Sequence, residues 1–327
     1  MATTFYSQQA ANRRRSFLLM LGVGVLFGVL GFAIGFGTTG DPYGGLWITA
    51  GAVVFAVLLS IGSYFGGDRV VLAASQAKPV DAEAQPMLLN VVQELSLAAN
   101  VPMPKVYLIE DSAPNAFATG RDPEHASLAI TTGLLEKLDR EALQGVIGHE
   151  LGHVRNFDIR FLLLIGVLVG GIALMADMFL RFTFWGAMTG RGRRSGGGGG
   201  GGGAAQLIVM VLAIALAILA PIAARLVQLS VSRQREYLAD ATAVEFTRNP
   251  VGLERALAVL AGDAEVLEVA NRSTQHLYFV NPIKKFEDRA GSMFATHPPI
   301  PDRIDRLRAL RSAPPLSDDE RTALSTH

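Results

Sequence analysis

The sequence predicts an α+β, mainly helical integral membrane protein: a small β-sheet and a metal-binding helix carried on four apolar spans. Three observations predict this. Half of the 327 residues are hydrophobic and the mean hydropathy is positive, which is rare in soluble domains. Four long apolar runs, 17–36, 46–65, 161–180 and 207–224, alternate with stretches of ordinary soluble composition. One of those stretches contains His-Glu-x-x-His, at His149, Glu150 and His153.

Composition also excludes. The formal net charge is zero, so nothing points to nucleic acid as a partner. With no cysteine there is no disulfide frame, no thiolate ligand and no cysteine nucleophile. Any metal has to be held by imidazoles and carboxylates, as catalytic zinc commonly is.

Residues 1–16 form a polar N-terminus carrying Arg13, Arg14 and Arg15. The run 17–36 is about 20 uncharged residues, enough to cross ~30 Å of hydrocarbon as a helix. It is too long for the core of a cleaved signal peptide, and 46–65 follows closely, so 17–65 reads as a retained hairpin. From 66 to 160 the composition turns soluble. Residues 82–99 set Leu88, Leu89, Val92, Leu95 and Leu97 among polar residues, an amphipathic helix. Residues 105–110, 115–120 and 127–131 read as strands, the second followed by the turn-rich Arg121-Asp-Pro-Glu. A short helix over 133–137 leads to Asp139, an N-cap for the motif helix, with Glu141 in its first turn.

On that helix His149 and His153 lie one turn apart on one face and can reach a single ion. Glu150 is placed to take a proton from water, whose pKa zinc lowers towards ~7. The motif is among the more specific short ones. No break is visible before 161–180, so one helix is expected from about residue 140 into the membrane. That would set the site about 12 Å ahead of the span. Residues 181–205 hold Arg191, Arg193, Arg194 and the glycine tract 196–203. Lacking a strand before it and Lys-Ser/Thr after it, the tract is a linker and not a phosphate loop.

The fourth run, 207–224, carries Pro221, which kinks its lower end. Arg233-Gln-Arg-Glu236-Tyr-Leu-Ala-Asp240 follows. If the third and fourth runs form a second hairpin, 161–224, Glu236 returns to the side of His149 and His153 and can be a third ligand. Asp240, one turn on, can accept from a ligand imidazole. The soluble domain then has two parts, 66–160 and 225–312, the second with a helix over 252–260 and a last one after the prolines beyond His297. Residues 313–327 read as a flexible polar tail. His125, His276 and His327 show no partner pattern.

The chain resembles the HtpX-type membrane zinc metalloproteases, a bacterial branch of a superfamily that includes the eukaryotic CAAX prenyl proteases. The resemblance covers most of the chain. It rests on Asn115-Ala-Phe-Ala, Thr131-Thr-Gly-Leu-Leu, His149-Glu-Leu-Gly-His153 with Asn156 and Asp158, Glu236-x-x-x-Asp240, and His297-Pro-Pro with Arg303. It implies a gluzincin-like protease domain with one Zn2+ on His149, His153 and Glu236, and Glu150 as general base. Asp240, Asn156, Asp158 and Arg303 would support the ligands, and His297 would either help stabilise an oxyanion or simply pack nearby. Asn115, Ala116, Phe117 and Ala118 would form an edge strand that pairs with substrate backbone. The resemblance also implies protein substrates, chiefly misfolded or damaged membrane proteins, at the bacterial inner membrane. The glycine tract departs from the family pattern.

Two other readings stay open. CAAX-type processing is one, although that branch usually has more than four spans. A membrane scaffold with a structural metal is the other, although such sites usually close with four protein ligands and three are found here. Orientation follows Lys and Arg near the span ends. Arg13, Arg14, Arg15, Arg69, Lys78, Arg155, Arg160, Arg225, Arg233 and Arg235 lie on the N-terminal side, against Arg181, Arg191, Arg193 and Arg194 opposite. The soluble domain is therefore expected in the cytoplasm.

Overall fold

The computed structural model describes residues 41–81, 83–164, 233–263 and 298–325, with Glu265 and scattered helical positions within 14–36 and at 177, 181, 211 and 214. The expected third and fourth spans, the glycine tract, His276 and His297 fall wholly or almost wholly outside the described residues. The chain divides into two compact units, Arg15–Tyr64 with Leu164–Gln228, and Met1–Arg14 with Phe65–Leu163 and Leu229–His327.

In the first unit, described positions within 17–36 are helical and pack on helix α1 (Pro42–Ala74). A Cβ on Gly31 would stand 2.7 Å from Ala52 Cβ, and one on Gly35 2.8 Å from Gly45 Cα, so glycine is what lets these backbones approach. The rings of Phe27 and Phe55 lie 5.9 Å apart. At 33 residues α1 is long and apolar enough to cross a membrane. It continues beyond the predicted run 46–65, and Trp47, Val54, Leu58 and Phe65 stay exposed along it.

The second unit holds the sheet and the motif helix. After β1 (Lys78–Pro79) come α2 (Pro86–Ala99), β2 (Lys105–Ile109), β3 (Ala116–Gly120), β4 (Ala126–Thr131), α3 (Thr132–Lys137) and α4 (Arg140–Arg155). Then follow α5 (Arg233–Thr247), α6 (Pro250–Ala261), α7 (Ile300–Leu310) and α8 (Asp318–Ser325). The sheet order is β1-β2-β4-β3, with β2 and β4 parallel and the two outer pairs antiparallel. Strand period two sorts the side chains. Val106, Leu128, Ile130, Ala116 and Ala118 join the core built by α2, α4, α6 and α7. Ile109, Ala129 and Phe117 face the other way, onto Val71, Leu72, Leu162 and Leu163. Both faces are thus covered, which is why β3 and β4 are buried throughout.

Two expectations need correction. The motif helix does not run on towards the third span: α4 ends at Arg155, and Phe157 takes the left-handed conformation (φ 59°) before helix resumes at Asp158. The Asn156 N–H bonds back to Gly152 O and the Phe157 N–H to Val154 O, a C-terminal cap made without glycine or proline. The axial distance reckoned from one straight helix therefore does not apply. Within the tail expected to be featureless, Asp318–Ser325 is helical. Ser317 and Glu320 exchange bonds, Glu320 N–H to Ser317 Oγ and Ser317 N–H to Glu320 Oε2, a capping box that starts α8. Leu316 is buried just ahead of it, and Arg308 of α7 pairs with Glu320.

Candidate active site

Small residues set the position of α4. A Cβ on Gly145 would stand 2.6 Å from Leu253 Cα on α6, and one on Gly152 3.4 Å from Ala239 Cα on α5. The close approach of α5 brings Glu236 and Asp240 onto the face that carries His149 and His153. At the helix start, Asp139 accepts from the Ala142 N–H at 2.8 Å, the predicted N-cap.

The three ligand candidates converge. His149 Nε2 and His153 Nε2 are 3.1 Å apart, and Glu236 offers Oε2 to the first at 3.6 Å and Oε1 to the second at 3.5 Å. All three are buried, and one ligand atom from each lies within 4.8 Å of the others. The opposite ring nitrogens are taken up by carboxylates. His149 Nδ1 meets Asp240 Oδ1 at 2.8 Å, and His153 Nδ1 meets Asp158 Oδ2 at 3.1 Å. A proton on each Nδ1 leaves each Nε2 as an acceptor pointing into the cluster, the tautomer a metal ligand needs.

Asp240 is itself clamped. Arg303, 1% exposed, donates Nε to Oδ2 at 2.9 Å and Nη2 to Oδ1 at 2.6 Å. Burial would raise the Asp240 carboxyl, but the Arg303 charge and the bonds from His149 and Arg303 hold it down at about 2. Helix α7 is in turn tied to α6 by Arg308 and Glu254 at 2.7 Å, and to α5 by Arg306 stacked over Tyr237. Glu150 sits beside His149, 2% exposed, and its Oε2 accepts from the Ala118 N–H at 2.8 Å. Burial raises its pKa and the Glu236 charge adds to that, while the two imidazoles and the Ala118 N–H work downward.

The donor set fits a divalent metal ion: two imidazoles and one carboxylate, each imidazole held from behind. The surroundings also favour positive charge there. Burial opposes a charged His153, yet Asp158, Glu236 and Glu150 lift its pKa to about 9.

Most sequence-predicted residues meet at this point. His149, His153, Glu236, Glu150, Asp240, Asp158 and Arg303 lie together, and Ala118 joins them through its backbone. Asn156 caps α4. Ala116 and Phe117 open β3 and Asn115 directly precedes it, with Asn115 Oδ1 accepting from the Ala116 N–H at 3.0 Å. His297 lies outside the described residues. His125 is exposed and paired with Asp122.

In the sequence Arg235 counts only as a positive charge near a span end. It is buried, with Nε 3.6 Å from Asp158 Oδ1. The signal was present: Arg235, Ala239, Thr242 and Phe246 form one buried stripe at helical spacing, and a charge in such a stripe needs a partner.

A helix bearing His-Glu-x-x-His, a glutamate from a second helix and a buried carboxylate beside the first imidazole are the arrangement of a metal-dependent peptidase. The family and sequence matches agree. Residues 82–311 match peptidase family M48. A "Protease HtpX homolog" of Listeria monocytogenes serotype 4b (strain CLIP80459) is 44% identical over 303 residues, 92% of this chain and 98% of that one. Another, from Caldanaerobacter subterraneus subsp. tengcongensis, is 40% identical over 307 residues, 94% of this chain and 98% of that one. Among solved structures, S. mikatae Ste24p covers 92% of this chain and 67% of its own length, at 16% identity and a TM-score of 0.47. The chain belongs to peptidase family M48 and is a metalloprotease of the HtpX type.

Proposed function

We propose that the chain is a membrane-embedded zinc endopeptidase that cuts misfolded or damaged membrane proteins. In this reading His149, His153 and Glu236 hold Zn2+ and Glu150 is the general base. The observation that carries it is the meeting of both Nε2 atoms with the Glu236 carboxylate, one residue from the Glu150 carboxylate. Zinc on those atoms supplies a Lewis acid for the scissile carbonyl and makes water more acidic. Glu150 takes the proton as water attacks and returns it to the leaving amine. The Ala118 N–H holds one oxygen of that carboxylate, leaving the other to carry the proton.

The strand β3 suits substrate pairing. Thr131 N–H bonds to Asn115 O, so ladder parity turns Ala116 and Ala118 away from β4 on the outer edge. Their N–H groups are taken by Asn115 and Glu150, which leaves their carbonyls to accept from a substrate strand. Purified protein treated with a strong chelator is expected to lose casein-type cleavage and regain it with one equivalent of Zn2+. Full cleavage without bound metal would remove the reading.

The domain boundaries stated above, two hairpins and a cytoplasmic catalytic domain at the inner membrane, are part of the proposal. The long apolar α1 and the excess of Arg and Lys on the N-terminal side support it. The chain has no cysteine of its own, so single cysteines can report orientation. In intact cells a cysteine at Thr39 should react with an impermeant reagent, and cysteines at the exposed Ala98 and Ser312 should not. Labelling at 98 or 312 would reverse the orientation.

A further inference from the structure

We infer that Arg235 is a positioning residue for the second imidazole, acting through Asp158. The inference rests on reading His149, His153 and Glu236 as metal ligands. Arg235 directly precedes Glu236 on α5 and is 5% exposed. Its guanidinium carbon stands 4.1 Å from the centre of the Phe161 ring, and its Nε is 3.6 Å from Asp158 Oδ1. The other oxygen of Asp158 is 3.1 Å from His153 Nδ1. Cation, carboxylate and imidazole therefore run in line, all buried.

The turn at Asn156–Phe157 makes this line possible. With Phe157 left-handed, the chain re-enters helix at Asp158, which faces back onto His153. Phe161, about one turn further, presents its ring to the same guanidinium. A carboxylate 1% exposed needs polar or positive partners, and Arg235 contributes positive charge beside the His153 imidazole. The order Arg235–Asp158–His153 thus resembles Arg303–Asp240–His149, except that Arg303 Nη2 also stands 3.3 Å from His149 Nδ1.

The lines differ in chemistry. Arg303 grips Asp240 through two hydrogen bonds, a fork that lysine cannot reproduce. Arg235 meets Asp158 at 3.6 Å, beyond a good hydrogen bond, so towards Asp158 it contributes charge, and over the Phe161 ring a cation that an ammonium can also supply. Lysine should therefore replace Arg235 and fail to replace Arg303.

The test uses the full chain in detergent micelles. It measures zinc affinity by chelator competition, the absorption spectrum with Co2+ in place of zinc, kcat and KM on a peptide, and thermal melting as a check on folding. Arg235→Gln and Asp158→Asn are each expected to weaken zinc binding by roughly tenfold, the low end of the range for groups that orient ligands. Each should also change the Co2+ spectrum and lower kcat with little change in KM. Because Arg235 works through Asp158, the double variant should match Asp158→Asn within about twofold. Arg235→Lys should stay within about threefold of wild type, whereas Arg303→Lys should not.

Wild-type affinity and spectrum in Arg235→Gln would overturn the inference, and so would losses that multiply in the double variant. Should Arg235→Gln fail to fold, Arg235→Lys decides. Affinity as low as in Asp158→Asn with normal melting overturns the inference, and near-wild-type affinity supports it. A wild-type chain that takes up no zinc would instead sink the ligand reading on which the inference stands.

Discussion

Glu150→Gln is expected to keep its metal and lose peptide hydrolysis by roughly 10²–10⁴-fold, the contribution typical of a positioned general base. The substitution is nearly isosteric, and the glutamine carbonyl can still accept from the Ala118 N–H that holds Oε2 now. Glu150 is not among the three groups whose ligand atoms converge, so the metal should stay at wild-type stoichiometry. What disappears is a carboxylate able to take a proton. Its burial fits that task, because desolvation raises the pKa from the ordinary range of an exposed glutamate and strengthens it as a base. The measurements are single-turnover cleavage of a peptide and metal analysis on the same sample. Cleavage at the wild-type rate by a metal-loaded variant would remove Glu150 from the mechanism. Loss of metal along with activity would make it a ligand or a structural group.

Much of the site was legible because its key residues obey local rules. His149, Glu150 and His153 are fixed by helix periodicity alone, and Asp139 by N-cap chemistry. The strands announced themselves by alternation, yet β1 did not. It is only Lys78–Pro79, too short to carry a pattern, and it exists because β2 offers it an edge. The break after Arg155 was hidden for a physical reason. Left-handed backbone is a preference of glycine and asparagine, but here it falls on Phe157, whose ring lies under the Arg160 guanidinium. The α8 cap, by contrast, is written in Ser317-Asp-Asp-Glu320, within a stretch whose polar composition reads as a tail. Arg303 and Arg235 illustrate a further limit. Each sits within a buried helical stripe, which sequence can show, but which carboxylate compensates it is decided by helix packing.

Glu236→Ala is expected to lose its metal through purification, while Asp240→Asn should bind only ~10–100-fold more weakly, as groups that orient ligands usually do. Glu236 brings one oxygen to each imidazole, at 3.6 and 3.5 Å, so its removal takes away a donor and a charge together. Asp240 touches only the far side of His149, and the imidazole survives its loss with its own donor atom intact. The Asp240 variant should suffer in stability instead. Arg303 is buried against that carboxylate, and breaking such a pair from one side costs about 3–5 kcal/mol. The two effects can be separated by replacing both partners. Asp240→Leu with Arg303→Met removes the stranded charge and should recover most of the lost stability, because apolar groups of similar size replace buried ion pairs at little cost. It should not recover zinc affinity, since nothing then fixes the His149 ring. Thermal melts and chelator competition on the single and double variants check both statements. A double variant that regains affinity along with stability would reduce Asp240 to a packing role. Unchanged metal content in Glu236→Ala would refute the ligand assignment.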